Sequence, residues 1–194
     1  NGWVRPPRMF MHQHQSAPGT FADQAASMGM TSDHWGSSLL AFDFDRDGDA
    51  DLIESVADAC YEGRTATIPL AVHENQLENT AQSSNHYLVV KPRTDGPNGR
   101  AIGAKVTVEF GGRRLVRWIT AGTSFLGQEP AEAFFGLGTA SQVDRLIVQW
   151  PSGARTVQRN VAADQIVTLL DRSVVADGFE SVSYTHLRAH ETYR

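Results

Sequence analysis

Residues 37–56 read SSLLAFDFDRDGDADLIESV, and this stretch decides the fold that the sequence predicts. A short apolar segment runs into a dense acidic loop, and a second apolar segment follows the loop at once. Gly48 permits a sharp backbone turn among carboxylates that occupy every second position. These carboxylates belong to Asp43, Asp45, Asp47, Asp49 and Asp51. The pattern predicts a strand, a metal-binding loop and a second strand.

The acidic loop is hard to fold without a cation, because its carboxylates repel one another at close range. Calcium suits the loop, since it accepts about six to eight oxygen ligands in flexible geometry. Magnesium demands a tighter octahedron, and zinc prefers Cys and His ligands. We therefore predict one Ca²⁺ ion, and the alternative is a solvated acidic turn. The predicted ligands are the side chains of Asp43, Asp45 and Asp47, the backbone carbonyl of Asp49, and the closing carboxylate of Asp51.

Two calcium architectures share this spacing. Counted from Asp43, Glu54 stands at the twelfth position, so the loop also fits an EF-hand. An EF-hand needs an amphipathic helix on each side, whereas the preceding segment HWGSSLLAF is short and broken by Gly36. Ala50 stands where an EF-hand usually carries a larger aliphatic residue. The sequence favours strand, loop and strand, with Glu54 outside the site.

From His86 onward the sequence is typical of an all-β unit. Its candidate strands are HYLVVKPR, AKVTVEF, RRLVRWIT, AFFGL, VDRLIVQW, RTVQ and QIVTLL. Gly111 and Gly112 suit a tight hairpin between the second and third of these strands. The segments TDGPNGR and PSG read as turns. Closely spaced strands with turns between them predict a small sandwich or barrel-like domain.

The net charge of −5 conceals an asymmetry along the chain. Residues 1–80 hold 12 acids and 4 bases, residues 81–170 hold 6 acids and 10 bases, and residues 171–194 hold 4 acids and 3 bases. The basic half has too few clustered Lys and Arg to predict nucleic-acid binding. No apolar run approaches the roughly 18–20 residues of a membrane helix. We expect Cys60, the single cysteine, to be a buried apolar side chain.

Several other side chains could carry chemistry, and each has a plainer explanation. His12 and His14 would share one face of a strand, but no third metal ligand accompanies them. Possible catalytic groups are Ser124, His86, Glu129 and Glu132. No nucleophile elbow, HExxH motif or phosphate loop is present. A turn explains Ser124, and a hydrogen-bonded loop explains Gln128 and Glu129 better than a polar pocket does.

The aromatic and basic residues of the second half also leave alternatives open. Trp118 and Trp150, with Phe110 and Phe125 nearby in sequence, fit core packing better than a platform for stacking sugars. A basic stripe for an acidic partner is one interpretation of the arginines in RRLVRW, and a solvated strand face is the favoured one. These arginines are Arg113, Arg114 and Arg117.

The segment WGSSLLAFDFDRDGDADLIES resembles an FG-GAP/VCBS repeat through Asp43, Asp45, Asp47, Gly48, Asp51 and Leu52. Such repeats build β-propeller blades with calcium in a loop between two strands. The upstream segment RMFMHQHQSAPGTFADQAASMGM resembles the end of a preceding repeat. Its turn reads QSAPG in place of an NGDG-like form, so the resemblance does not extend to a second calcium site there.

The second half resembles the ASPIC/UnbV domain, which commonly follows such repeats in secreted proteins. The matching segments are NHYLVV, NGRAIGAKV, AGTSFLGQ, FFGLG and VDRLIVQWPSG. The resemblance implies an extracellular or cell-envelope setting and a β-rich C-terminal domain, without implying an activity. The tail SVSYTHLRAHETYR resembles translated cloning sequence, and we expect residues 172–194 to be non-native or disordered.

Together these observations predict an all-β fragment of a longer protein. Residues 1–80 would form one or more partial propeller blades with the calcium loop, and residues 81–171 an ASPIC/UnbV-like domain. The predicted function is a calcium-binding extracellular adhesion or scaffold module that is not an enzyme and whose partner is an unidentified protein or glycan. The alternative is an accessory protein or enzyme of a biosynthetic pathway with an unidentified active site.

Overall fold

The computed structural model describes residues 8–13, 17–30, 36–56, 70–76, 84–125 and 127–172. These residues form twelve strands and one turn of 3-10 helix at Ala26–Met28, so the prediction of an all-β fold is confirmed. The strands are β1 (Phe10–His12), β2 (Phe21–Asp23), β3 (Gly36–Phe42), β4 (Asp51–Val56), β5 (Leu70–His73), β6 (His86–Thr94), β7 (Lys105–Phe110), β8 (Arg113–Trp118), β9 (Ala133–Gly138), β10 (Gln142–Gln149), β11 (Arg155–Ala162) and β12 (Gln165–Asp171).

The strands of the described ranges pair into four open sheets. The first is the hairpin β1-β2, and the second has the order β3-β4-β5 with antiparallel neighbours. The third has four antiparallel strands in the order β11-β10-β7-β8. The fourth has the order β12-β6-β9, in which β12 runs parallel to β6.

The core lies between the four-stranded sheet and the sheet β12-β6-β9. Alternate side chains of β7 and β10 point inward, as the two-residue period of a strand requires. Leu88, Phe135 and Leu146 are 0% exposed and meet in one cluster. Burying apolar side chains of this size stabilises a fold by about 1.5–3 kcal/mol each. The resulting arrangement is a sandwich, with two outer faces turned away from the core.

The hairpin predicted at Gly111 and Gly112 is confirmed. The two glycines have φ values of 51° and 74° and connect β7 to β8. Two successive residues with positive φ match the right-handed twist of the flanking strands. Phe110, which ends β7, is buried in the sandwich core.

The expectation that four aromatic residues pack in the core is confirmed for two of them and wrong for the other two. Trp150 and Phe110 are each 4% exposed, and Trp150 Nε1 donates a hydrogen bond of 2.8 Å to Thr156 Oγ1. Trp118 and Phe125 are 59% and 71% exposed, so their assignment to the core is wrong. Trp118 lies opposite Lys105 on the outer face of the edge strand β8. Phe125 lies inside the turn closed by Ser124 and Gly127.

The acidic loop joins β3 to β4, which confirms strand, loop and strand over the EF-hand. Glu54 lies on β4, is 4% exposed and faces His73, with 3.6 Å between Oε2 and Nε2. Its carboxylate is therefore directed to the neighbouring strand. This agrees with the expectation that Glu54 lies outside the metal site.

A loop of the sandwich covers the outer edge of β3. Ser124 Oγ accepts a hydrogen bond of 3.1 Å from the backbone N–H of Leu39, and Glu129 Oε1 accepts one of 3.0 Å from Ala41. Edge strands expose unpaired N–H groups that invite aggregation. Here two side chains satisfy them, which attaches the β3-β4-β5 sheet to the sandwich.

Some expectations fall outside the described residues. They concern His14, Cys60, the boundary between residues 80 and 81, and residues 173–194 of the tail. Among the residues that the structure describes, no helix has the length and apolar character needed to cross a membrane.

Candidate metal centre

The loop between β3 and β4 is shaped by its backbone. Phe42 pairs with Asp51 across the hairpin, so residues 43–50 form the whole connection. Arg46 and Gly48 have φ values of 68° and 102°. These two residues with positive φ bend the chain tightly within three positions, and the loop as a whole reverses its direction between β3 and β4. This tight loop brings the flanking carboxylates toward one point.

Three of the predicted ligands meet at that point. One carboxylate oxygen each from Asp43, Asp45 and Asp51 lies within 4.8 Å of the other two. Calcium–oxygen distances of about 2.3–2.6 Å allow two ligands of one ion to lie up to about 5 Å apart. The separations therefore fit a single calcium ion held between the start and the end of the loop.

Asp43 has an unsatisfied oxygen in this cluster. Its Oδ1 atom is buried and has no hydrogen-bond partner among the described residues. Burial raises the pKa of Asp43, and the charges of Asp47 and Asp45 raise it further, against backbone hydrogen bonds from Arg46 and Gly48 that lower it. A buried polar atom without a partner is costly. A cation would satisfy that atom and offset the repulsion, so the residues present fit calcium.

Asp51 is fixed in place before any ion binds. It is 0% exposed, and its two oxygens accept hydrogen bonds from the backbone N–H groups of Asn75 (2.9 Å) and Phe44 (3.1 Å). Asn75 also donates from Nδ2 to the carbonyl of Ala50 at 3.3 Å. The sequence did not indicate Asn75, since it follows β5, 24 residues beyond Asp51. Its role depends on the pairing of β4 with β5.

The other two predicted ligands lie outside the carboxylate cluster. Asp47 Oδ1 accepts a hydrogen bond of 3.0 Å from the N–H of Asp49, and Asp45 Oδ1 accepts one of 3.2 Å from the N–H of Asp47. Such contacts between an Asp side chain and the backbone two residues later stabilise tight turns. The carbonyl ligand at Asp49 and the side-chain ligand at Asp47 stay predictions.

The sandwich covers one side of the loop through Tyr87. A Cβ atom added to Gly48 would lie 2.5 Å from Cδ1 and Cε1 of this ring, so the backbone lies directly against that side of the ring. The ring stacks on Phe134, with 6.2 Å between centroids. Burial raises the pKa of Tyr87, and the charges of Asp43, Asp164 and Asp47 add to the effect. No local sequence pattern indicates Tyr87, because its contact with the loop is long-range.

A cleft of about 200 Å³ lies between the loop and the outer face of the β12-β6-β9 sheet. Its charged side chains are Asp43, Arg46, Lys91 and Glu132, and its other lining residues are Phe42, Phe44, Val89, Pro130 and Ile166. Lys91 Nζ lies 3.1 Å from Glu132 Oε2. Glu132 is therefore held in an ion pair.

The remaining candidates for catalysis also have structural partners. His86 Nδ1 lies 2.7 Å from Asp164 Oδ2, and Ser124 and Glu129 bond the edge of β3. Gln128 Nε2 donates to the carbonyls of Thr120 and Glu129. Gln128 thus forms the hydrogen-bonded loop that the sequence favoured.

Calcium binding is expected to weaken as the pH falls through the raised pKa of Asp43, because a protonated carboxyl is a poor ligand. Without calcium, a fall in pH through the same pKa is expected to raise the free energy of unfolding instead. The folded state binds this proton more tightly than the unfolded state, so Asp43 opposes folding as the pH rises through its pKa. Thermal melts with and without calcium, at a series of pH values that descends from about 7.5 to about 4, check this. A calcium-induced rise in Tm that is equal at every pH value of the series would contradict it.

Comparison with known proteins finds a family model that matches the C-terminal part of the chain and relatives that match a longer stretch of it. Residues 94–175 match the sequence model of the family described as ASPIC and UnbV. Cartilage acidic protein 1 of Mus musculus is 35% identical over 140 residues, which are 70% of this chain and 19% of that protein. The Homo sapiens protein of the same name is 37% identical over 141 residues, with the same shares. The chain thus spans about a fifth of the length of these curated relatives. These matches support the ASPIC/UnbV assignment of the C-terminal part.

Proposed function

We propose that this chain is a calcium-stiffened extracellular binding module. One observation carries the proposal: three carboxylates converge on one point, where Asp43 Oδ1 is buried without a partner among the described residues. Asp51 is held in position beside it by two backbone N–H groups. The carboxylates converge, Asp51 is already oriented, and Asp43 has an unsatisfied oxygen. A site with these properties would be stabilised by a hard cation.

Calcium would supply positive charge and oxygen coordination at this point. The chain's own residues would transmit the effect, because Asp43 directly follows β3 and Asp51 begins β4. An ion between them would hold the two strand ends together. Gly48 touches Tyr87, so a fixed loop would also fix the orientation of the β3-β4-β5 sheet on the sandwich.

The wider architecture is part of the same proposal. The β3-β4-β5 sheet with its acidic loop suits a blade of the FG-GAP/VCBS type, and neighbouring blades would complete a propeller. Stacked repeats bury their faces against neighbours. An extracellular or cell-envelope setting accords with the ASPIC and UnbV match and with the similarity to cartilage acidic protein 1.

Binding accounts for the described side chains better than catalysis does. In the cleft beside the loop, Asp43 belongs to the carboxylate cluster and Glu132 is paired with Lys91. This leaves no pair of carboxyls free to act as general acid and general base. We therefore propose a protein or glycan as the partner, rather than a substrate that is chemically converted.

Calorimetric titration of the full chain with calcium tests the metal site. We expect about one ion per chain, and a Kd at least about tenfold weaker for Asp45→Asn, since even residues that only support a ligand contribute about 10- to 100-fold to metal affinity. Asp45 is exposed, so its replacement leaves the core unchanged.

Asp144→Asn is the matched control for this titration. It removes the same charge from an exposed position on β10, in the sheet that faces away from the loop. We expect its calcium affinity to equal that of the wild type. Absence of calcium binding, or equal weakening by both variants, would overturn the proposed site.

A further inference from the structure

The outer face of the four-stranded sheet β11-β10-β7-β8 carries a concentration of basic side chains. Strand register places residues of like orientation in rows across the sheet. One row runs Arg155, Gln149, Lys105, Trp118, and another runs Arg159, Arg145, Glu109, Arg114. The row between them is Val157, Ile147, Thr107 and Val116. We call the five cations and Trp118 the basic face.

The charge of the basic face is segregated from the rest of the sandwich. It holds five cations and one acid, Glu109, which gives a net charge of +4. Residues 81–170 hold 10 bases and 6 acids in all, so the remaining 5 bases and 5 acids cancel. The net charge of +4 of residues 81–170 is therefore equal to that of the outer face of this one sheet.

The cations of the basic face are only partly neutralised. Glu109 accepts a hydrogen bond of 2.9 Å from Arg145 and lies 3.8 Å from Arg114. Arg155 and Arg159 are exposed and have no ion-pair partner among the described residues. An exposed cation keeps its full charge available to a partner. These two guanidinium groups lie four residues apart on β11 and on the same face, so both can contact one anionic chain.

The exposed ring of Trp118 adds an apolar contact to the basic face. Its side chain is 59% exposed, with Lys105 Nζ 5.5 Å from the ring centroid. A cation near the ring is held by the ring's electron density. The cation and the aromatic surface are thus presented side by side, at the open edge of the sheet.

We propose that the basic face binds an anionic polysaccharide, with sulfate or carboxylate groups on the arginines and a sugar ring against Trp118. Guanidinium groups make strong, often bidentate hydrogen bonds to such oxyanions. This assigns a partner class to the binding function proposed above and rests on that proposal. The calcium loop packs against the other outer face of the sandwich, so the two sites are physically separate.

The composition of the face favours a hydrated sugar chain over a folded protein. Stable protein interfaces are built around a buried apolar and aromatic centre. In the central row, Ile147 and Thr107 are only 5% and 2% exposed, and the exposed apolar surface of the row lies at its margin, where Val157 on the edge strand β11 is 39% exposed. Exposed charge surrounds them, and the aromatic ring lies at the margin. Such a surface suits a flexible polyanion that needs no apolar centre.

Binding of heparin, a sulfated polysaccharide, to the full chain tests the inference. We expect heparin to bind, with an affinity that falls as salt is added. The double variant Arg155→Ser with Arg159→Ser should bind heparin at least about tenfold more weakly, since each cation near an anionic surface contributes about 1 kcal/mol. Trp118→Ala should weaken binding without changing the salt dependence. Uncharged dextran should not bind.

A charge-matched variant separates the face from overall charge. Arg113→Ser with Arg117→Ser removes two cations from β8 at positions that alternate away from Arg114 and Trp118, and heparin affinity should be nearly unchanged. Equal loss in both double variants would overturn the assignment to this face. Poly-glutamate that bound as tightly as heparin would overturn the polysaccharide in favour of an acidic protein.

Calcium titration of the same preparations keeps the two proposals distinguishable. The variants of the basic face should bind calcium as the wild type does, because they lie on the opposite side of the sandwich. Failure to bind heparin with calcium binding intact would overturn the inference about the basic face alone. Heparin binding without any calcium binding would overturn the metal site alone.

Discussion

Replacing Asp51 with Ala is expected to lower the free energy of unfolding by about 2–4 kcal/mol and to abolish calcium binding. Asp51 is fully buried, and its oxygens accept from the N–H groups of Phe44 and Asn75. A hydrogen bond to a charged group contributes about 1.5–3 kcal/mol. Losing the Asp51 charge removes some repulsion from Asp43, which offsets a part of this. Urea denaturation in EDTA and in calcium measures both effects.

Two matched variants separate the structural role of Asp51 from metal binding. Asp51→Asn keeps one acceptor oxygen and the side-chain shape, so we expect an intermediate loss of stability in EDTA. Asp45→Asn removes an exposed carboxylate, so it should bind calcium poorly while remaining nearly as stable as the wild type in EDTA. If Asp51→Ala were as stable as the wild type in EDTA, Asp51 would not be the anchor of the loop.

Local patterns were enough to predict the main elements and a loop in which three carboxylates converge. Alternating acids and a glycine are adjacent in sequence, and a strand on each side fixes where the loop begins and ends. The EF-hand alternative failed because its flanks lack helical periodicity. Gly111 and Gly112 also predict the hairpin from a local pattern, because two adjacent glycines favour a tight turn between strands.

The features that the sequence could not predict depend on contacts between distant segments. Asn75 reaches Asp51 only because β5 pairs with β4, and Tyr87 reaches Gly48 only because the sandwich packs on the loop. Ser124 and Glu129 accept hydrogen bonds from the edge of β3, across sequence separations of 85 and 88 residues. No short-range pattern encodes such pairings.

The error over Trp118 has a different cause. A strand has two faces, and a large aromatic residue does not reveal which of them is buried. Register decides the matter: Trp118 pairs with Lys105, whereas the inward positions of β7 are Val106 and Val108. The alternation in AKVTVEF and the hairpin predicted at Gly111 and Gly112 together imply this register, so the size of Trp118 was the wrong guide to its burial.

The loop and the sandwich share one interface, which makes the loop sensitive to a single added methyl group. Gly48→Ala is expected to lower the free energy of unfolding by about 2–4 kcal/mol. One part is strain, since Gly48 has a φ of 102°, and such strain costs about 1–3 kcal/mol. The other part is overpacking against Tyr87, at about 1–3 kcal/mol. Displacing the loop should also weaken calcium binding, and chemical denaturation with calorimetry measures the two effects.

A double-mutant cycle with Tyr87→Ala separates the strain of Gly48→Ala from its clash. Removing the ring opens space for the new methyl group, so the overpacking part should vanish in the double variant while the strain part persists. The double variant should therefore be about 1–3 kcal/mol more stable than the sum of the two single changes implies. Tyr87→Ala alone measures the loss of the stacked ring and its contact with Phe134. Additive effects would show that the loop does not touch the sandwich at Gly48, and the coupling between calcium binding and the orientation of the β3-β4-β5 sheet would then lose its physical basis.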